Sequence, residues 1–351
     1  MVRWRRNRTV RTSIRWVVFV ASIVALSTRL SYNSASSWVS GLSPYVTVGS
    51  IFATHALPAA AWLGLSVGLW TAVRRRAFCR QLCPMGLVLD HVGAAGRFCR
   101  RPSASSSRLG SWLAWLTLGG ACLGFPLFLW LDPLAIFSSA FSIPRSTAGS
   151  ARVYAGTLIT VLLILNFWRP GIWCRQICPL GGFQELAWKG STAVRAYERQ
   201  WRGGVRPHRR GEPNTRRAWL GAAGGAAVAM ARPRGNAAES HMLRQPGAQA
   251  ELLFDGLCLR CGNCLRACPT GIIHNAGATV SWLSLFTPVL SFAADYCREG
   301  CVQCTNVCPS GALQRIVPSA KDNIRIGRPR IQMDLCLLFE DRECSHCLSL
   351  I

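Results

Sequence analysis

Four stretches of the chain run almost free of polar side chains: Ile14 to Leu30, Ile51 to Val73, Leu113 to Leu131, and Val153 to Trp168. A helix needs roughly 17 to 25 residues to cross about 30 Å of hydrocarbon, so the second and third are of membrane length and the others are short. The pattern predicts four transmembrane helices over residues 1–188. Arg15 and Arg29 fall inside the first and must extend their charged ends to the interface. From 189 to 217 the chain turns polar, arginine-rich and broken by Gly203, Gly204, Pro207 and Pro213, which predicts a cytoplasmic linker. A short, glycine-diluted apolar run, Ala218 to Ala231, then opens a segment reaching to 235. Residues 236–351 form a second domain.

Charge decides how the spans are oriented. The 351 residues carry a formal net charge of +25, almost wholly from arginine, since Lys189 and Lys321 are the only lysines. Such a charge can serve nucleic acid, anionic lipid or topology. Here it alternates. Arg3, Arg5, Arg6, Arg8 and Arg11 precede the first span, none lies between Leu30 and Ser50, many lie from Arg74 to Arg108, two lie between the third and fourth spans, and many follow Arg169. This is the positive-inside pattern of a multi-pass protein of the inner membrane, with both ends of the four-span part cytoplasmic. It takes away most of the support for a nucleic-acid partner.

Cysteines supply the candidate chemistry. "FCRQLCPMG" closes the second span and "WCRQICPLG" follows the fourth, placing Cys79, Cys83, Cys174 and Cys178 at the cytoplasmic face. The likeness of the two reads as an internal duplication whose halves give four thiolates to one site. Paired cysteines in a reducing compartment suit metal better than disulfides, and proline after the second one points to an iron–sulfur cluster. Cys99 and Cys122 are unpaired by spacing and read as structural.

The second domain holds the stronger signal. "CLRCGNCLRACP" sets Cys258, Cys261, Cys264 and Cys268 in the C-x2-C-x2-C-x3-C-P spacing of bacterial ferredoxins, and "CREGCVQCTNVCP" repeats it as Cys297, Cys301, Cys304 and Cys308 with one extra residue in the first gap. A tight loop delivers three thiolates and the fourth comes from the partner motif. Cys258, Cys261, Cys264 and Cys308 are therefore expected to hold one [4Fe–4S] cluster, and Cys297, Cys301, Cys304 and Cys268 another. Zinc ribbons use two separated pairs, so zinc is the weaker reading. Between the motifs, Ala278 to Ala293 is apolar but interrupted by Pro288, and is expected to cover the clusters or dock on a membrane partner. Cys336, Cys344 and Cys347 look like a third motif whose next position is Ile351, the last residue, so an incomplete site is expected, with His346 a weak substitute. Upstream, Arg216 and Arg217 before the apolar run have the form of a twin-arginine export signal, with Ala229 and Ala231 as a cleavage site, or else of a fifth helix.

On these residues the first half resembles the membrane quinol-dehydrogenase subunit that feeds periplasmic nitrate reductase, and related membrane polyferredoxins that include maturation regulators of nitrous-oxide reductase. The second half, twin arginine followed by "CLRCGNCLRACPTGII" and "CVQCTNVCPSGAL", is similar to the exported ferredoxin subunit that partners it. Both are joined in one chain. The resemblance implies electron flow from membrane quinol through iron–sulfur centres to a periplasmic reductase or cytochrome, or, alternatively, a maturation or regulatory role for a periplasmic metalloenzyme.

The expected fold is an α-helical membrane domain of four spans plus an α+β two-cluster ferredoxin domain on the periplasmic side. No Walker loop, Rossmann fingerprint or nucleophile triad is present, which favours a conduit over a terminal reductase. His55, near the outer end of the second span, is a candidate quinol-binding or haem-ligating residue, and His91 with Asp90 lies beside the first cysteine pair. Asp132, in "DPLAIF", shapes a quinol pocket or caps a helix.

Overall fold

The computed structural model describes residues 2–27, 35–58, 60–97, 109–142, 149–201, 215–231, 242–277, 283–293 and 295–327. The first half is entirely helical among these residues. Its elements are α1 (Val2–Ser27), α2 (Ala35–Gly41), α3 (Pro44–Thr54), α4 (Ala61–Val73), α5 (Ala77–Gln81), α6 (Pro84–Arg97), α7 (Leu109–Cys122), α8 (Pro133–Ala140), α9 (Gly149–Trp168) and α10 (Pro179–Trp201). Within α1, the 18 residues Val10–Ser27 are, among the described residues, the one helical stretch long and apolar enough to cross a membrane alone.

Two predicted spans are shorter than their apolar runs. α3 ends where His55 takes a left-handed φ of 52°, and Pro58 follows, so the run from Ile51 to Val73 is broken by a turn between two helices. α7 stops at Cys122 because Gly124 adopts a φ of 78° and Pro126 bars a restart. Asp132 therefore does not close a long third span. It opens α8.

The duplication extends well beyond the cysteines. α3 begins at Ser43, whose hydroxyl accepts from the Val46 N–H, with Pro44 in the first turn. α8 begins at Asp132, whose carboxylate accepts from Leu134 and Ala135, with Pro133 in the first turn. The two caps meet: Ser43 Oγ donates to Asp132 Oδ1 at 2.6 Å, and both residues are fully buried. Each capped helix is followed by a longer apolar one, a cysteine turn, and a helix opened by proline. The halves then exchange partners, α6 packing on α9 and α10 on α4.

α11 (Thr215–Met230) runs alongside α7, and their backbones nearly touch. A Cβ at Gly225 would fall 2.0 Å from the Leu116 carbonyl oxygen, and one at Gly119 2.0 Å from that of Ala222. Small residues permit this approach. Large apolar side chains on the flanks of this bundle remain uncovered, among them Val17, Trp62, Leu69 and Trp219, at 67%, 66%, 72% and 75% exposure.

The second half is a small α+β unit. It contains α12 (Glu251–Leu257), α13 (Asn263–Ala267), β1 (Ile273–Asn275), β2 (Pro288–Leu290) and α14 (Gln303–Asn306). The strands are antiparallel, with Ile273 opposite Leu290 and Asn275 opposite Pro288. The apolar insertion thus returns as a strand, and Pro288 is tolerated at its first position. Arg260 clamps the insertion by donating to the carbonyls of Leu285 and Leu283 at 2.8 and 2.7 Å.

This unit sits on one end of the helical half. Arg266 Nη1 donates to the Ser138 carbonyl at 2.7 Å, at the end of α8, and the Arg260 guanidinium lies 5.4 Å from the Trp130 ring. Gly262, at a φ of 72°, faces Ser142 so closely that a Cβ would meet the serine Cβ at 2.3 Å. Gly256 packs on Phe125 and Pro126, and Gly311 faces Pro58. All these contacts fall at the end where α4 begins. The 13 residues of α4 carry the chain about 20 Å from there to the first cysteine turn.

Candidate metal centres

Cys258, Cys261, Cys264 and Cys308 line one cavity of about 420 Å³. Cys268, Cys297, Cys301 and Cys304 line a second, of about 340 Å³. Each cavity thus takes three cysteines from one motif and the last from the other. The extra residue between Cys297 and Cys301 is absorbed by a turn at Gly300. After each fourth cysteine and its proline a hydroxyl returns to the sulfur: Thr270 Oγ1 lies 3.4 Å from Cys268 Sγ, and Ser310 Oγ 3.8 Å from Cys308 Sγ. The Leu313 N–H also donates to Cys308 Sγ, at 3.4 Å.

Burial disfavours the charged form at Cys258, Cys261, Cys264 and Cys304. Burial pushes Cys258 up to about 12 and Cys261 to about 11, with repulsion from neighbouring sulfurs adding to it. Cys304 is raised to about 12, by burial and then by Cys297 and Cys301. A bound cation favours the thiolate form of such buried thiols. Among the described residues no three Cys, His, Asp or Glu side chains converge tightly enough for a single metal ion. Four thiols spaced around each cavity suit a cubane cluster.

The helical half builds a different site. Cys79, Cys83, Cys174 and Cys178 come within electrostatic reach of one another. Both turns are made alike: the N–H of Cys83 bonds to the Phe78 carbonyl at 3.1 Å, and that of Cys178 to the Trp173 carbonyl at 2.8 Å, five residues back in each case. Gly86 N–H donates to Cys83 Sγ at 3.3 Å, and Gly181 N–H to Cys178 Sγ at 3.4 Å. The turns differ in winding, since Trp173–Ile177 is a π-helical turn whereas α5 is α-helical. Pro84 and Pro179 start the next helices in the position where a missing N–H costs nothing.

Comparison with known proteins accords with both halves. Residues 55–102 and 152–197 match a family of 4Fe-4S binding domains, and residues 254–274 match a second family with the same description. The chain carries 4Fe–4S binding domains. It is 40% identical over 108 residues to the ferredoxin-type protein NapG of Escherichia coli (strain K12), covering 30% of this chain and 46% of the relative. It is 34% identical over 129 residues to the methylamine utilization ferredoxin-type protein MauM of Methylophilus methylotrophus, covering 35% and 54%. The chain spans about half the length of the curated relatives it matches. No solved structure matches it.

Other candidates divide. Cys336, Cys344, Cys347, His346 and Cys99 lie outside the described residues. Cys122 is an exposed free thiol. His55 caps α3 on the exposed turn before α4. His91 Nδ1 pairs with the Leu87 carbonyl at 2.8 Å and its ring meets Trp16, while Asp90 pairs with Arg15 at 2.6 Å. The arginine inside the first apolar run is thus paired with an acidic side chain of α6. Sequence reading missed Gln184, fully buried, whose Nε2 donates to Cys79 Sγ at 3.2 Å. Its only signal was a polar residue inside an apolar stretch six positions after Cys178.

Proposed function

We propose that this chain is a membrane-embedded electron conduit that takes electrons from quinol and passes them toward a periplasmic reductase or cytochrome. The observation that carries the reading is the seat of the ferredoxin unit. It rests on the helix ends opposite the cysteine turns, so two sets of thiols are stacked across the helical half rather than left on separate bodies. α8 joins them: Asp132 at its start is within electrostatic reach of Cys79 and Cys83, and Ser138 near its end bonds Arg266. Its eight residues span about 12 Å.

A 4Fe–4S cluster, when bound, accepts and releases single electrons. The chain's part is to hold the thiols, exclude water and fix the spacing. Cys258, Cys261, Cys264 and Cys308 would hold one cluster, Cys268, Cys297, Cys301 and Cys304 another, and Cys79, Cys83, Cys174 and Cys178 a third. The alternation of arginines and the uncovered apolar flanks of α1, α4 and α11 support a multi-pass membrane part. In this reading α11 stays as a fifth crossing helix, because its glycines are interleaved with those of α7.

The test uses the full chain in lipid nanodiscs under argon. Iron and labile-sulfide analysis should give about twelve irons per chain, falling by about four in Cys79→Ser/Cys83→Ser. Addition of decylubiquinol should bleach the iron–sulfur absorbance. If dithionite bleaches it and the quinol does not, the quinol reading is wrong.

A further inference from the structure

Where the ferredoxin unit meets the helical half there is a cavity distinct from the thiol-lined ones. Its volume is about 280 Å³, and its walls include Trp38, Trp62 and Leu63 from the helical half and Asn306, Cys308 and Arg315 from the ferredoxin unit. We propose that this cavity binds the ring of a quinol or quinone arriving from the lipid, a proposal that rests on the quinol reading above and locates its point of entry.

Size limits the ligand first. The cavity is smaller than either thiol-lined one, which favours a single ring over a nucleotide or haem. Position limits it next. Trp38 and Trp62, in the cavity wall, are 57% and 66% exposed, and exposed tryptophan is the residue that settles at a membrane boundary. A ligand reaching the cavity past them is lipid-soluble at one end. Its other end must offer oxygens: Arg315 Nη2 donates to the Asn306 carbonyl at 3.3 Å, leaving further guanidinium N–H donors for a ring oxygen.

The redox character comes from Cys308, which lines both this cavity and the first thiol-lined one. A ring bound here rests against a side chain shared with a candidate centre. Oxidation of a quinol to quinone releases two protons and two electrons. The protons would pass to water at the open side, and bound iron–sulfur clusters, held by the cysteines named above, would serve as the oxidant, each taking one electron at a time.

The experiment labels the full chain in nanodiscs with a photoreactive azidoquinone and maps the adducts by mass spectrometry. Adducts are expected on residues 37–38, 60–63 and 306–315. Arg315→Met and Trp62→Ala should each lower labelling about tenfold, the loss of one charged hydrogen bond or one ring contact, and Trp62→Phe should restore most of it. Iron content and dithionite bleaching, unchanged in all three, show the variants are folded. Labelling that maps elsewhere, or that the variants leave unchanged, overturns the site even if decylubiquinol still bleaches the wild type. Labelling at this cavity in a chain that the quinol fails to bleach keeps the site and overturns the electron-donor reading instead.

Discussion

Gln184 breaks the symmetry of the membrane thiols, since the matching position of the first repeat is Leu89 and only Cys79 gains a side-chain donor. An N–H donated to a ligating sulfur favours the reduced, more negative state. Gln184→Leu should therefore keep its iron and lower the midpoint potential of that centre by about 40 mV, the equivalent of one ordinary hydrogen bond. An EPR-monitored redox titration giving equal potentials would sink this role. The crossed sharing of cysteines makes a second demand. Cys308→Ser should damage the centre of Cys258, Cys261 and Cys264, and Cys268→Ser the other, each visible as loss of one EPR signal with the second retained. Burial also sets thiol reactivity. After chelation of iron, Cys258 and Cys304 stay protonated until the pH approaches 12, so iodoacetamide should label them slowly at pH 8 and faster as the pH rises. Rapid labelling at pH 8 with the helix content intact would refute the burial.

At the scale of elements, the paired caps govern the helical half. Asp132→Ala would strip α8 of its cap and leave Ser43 without its acceptor in a buried place, at a cost of about 2 kcal/mol or more, whereas Asp132→Asn keeps an acceptor and should cost less than half of that. Thermal unfolding in nanodiscs ranks the two. How much of this was legible beforehand depends on the signal. The cysteine spacings and prolines stated their chemistry outright, because a cluster demands ligands at fixed intervals. α9 was legible as an unbroken apolar run. α3 and α8 were not, because a half-length helix buried among others is as apolar as the span it abuts, and hydropathy cannot see the turn at His55 or Gly124. "LSP" and "LDP" were the available clue, a cap followed by proline in both repeats. The seat of the ferredoxin unit left no sequence pattern at all, since it depends on single contacts such as Gly262 on Ser142.

For the whole molecule, the stacking of the two halves rests on few polar ties. Arg260→Met/Arg266→Met should leave all iron in place yet expose the seam, read as faster proteolysis near 242–250 and weaker magnetic coupling between centres; unchanged coupling would mean the apolar contacts suffice. The duplicated cysteine turns carry one more consequence, in time rather than space. Cys79 and Cys83 emerge from the ribosome early but offer only half a ligand set, and their partners wait until Cys178 has been made and α10 has folded against α4. If these four thiols hold a cluster, it cannot be completed until about half the chain exists, and a chain stalled before the second repeat would carry an open pair of thiols.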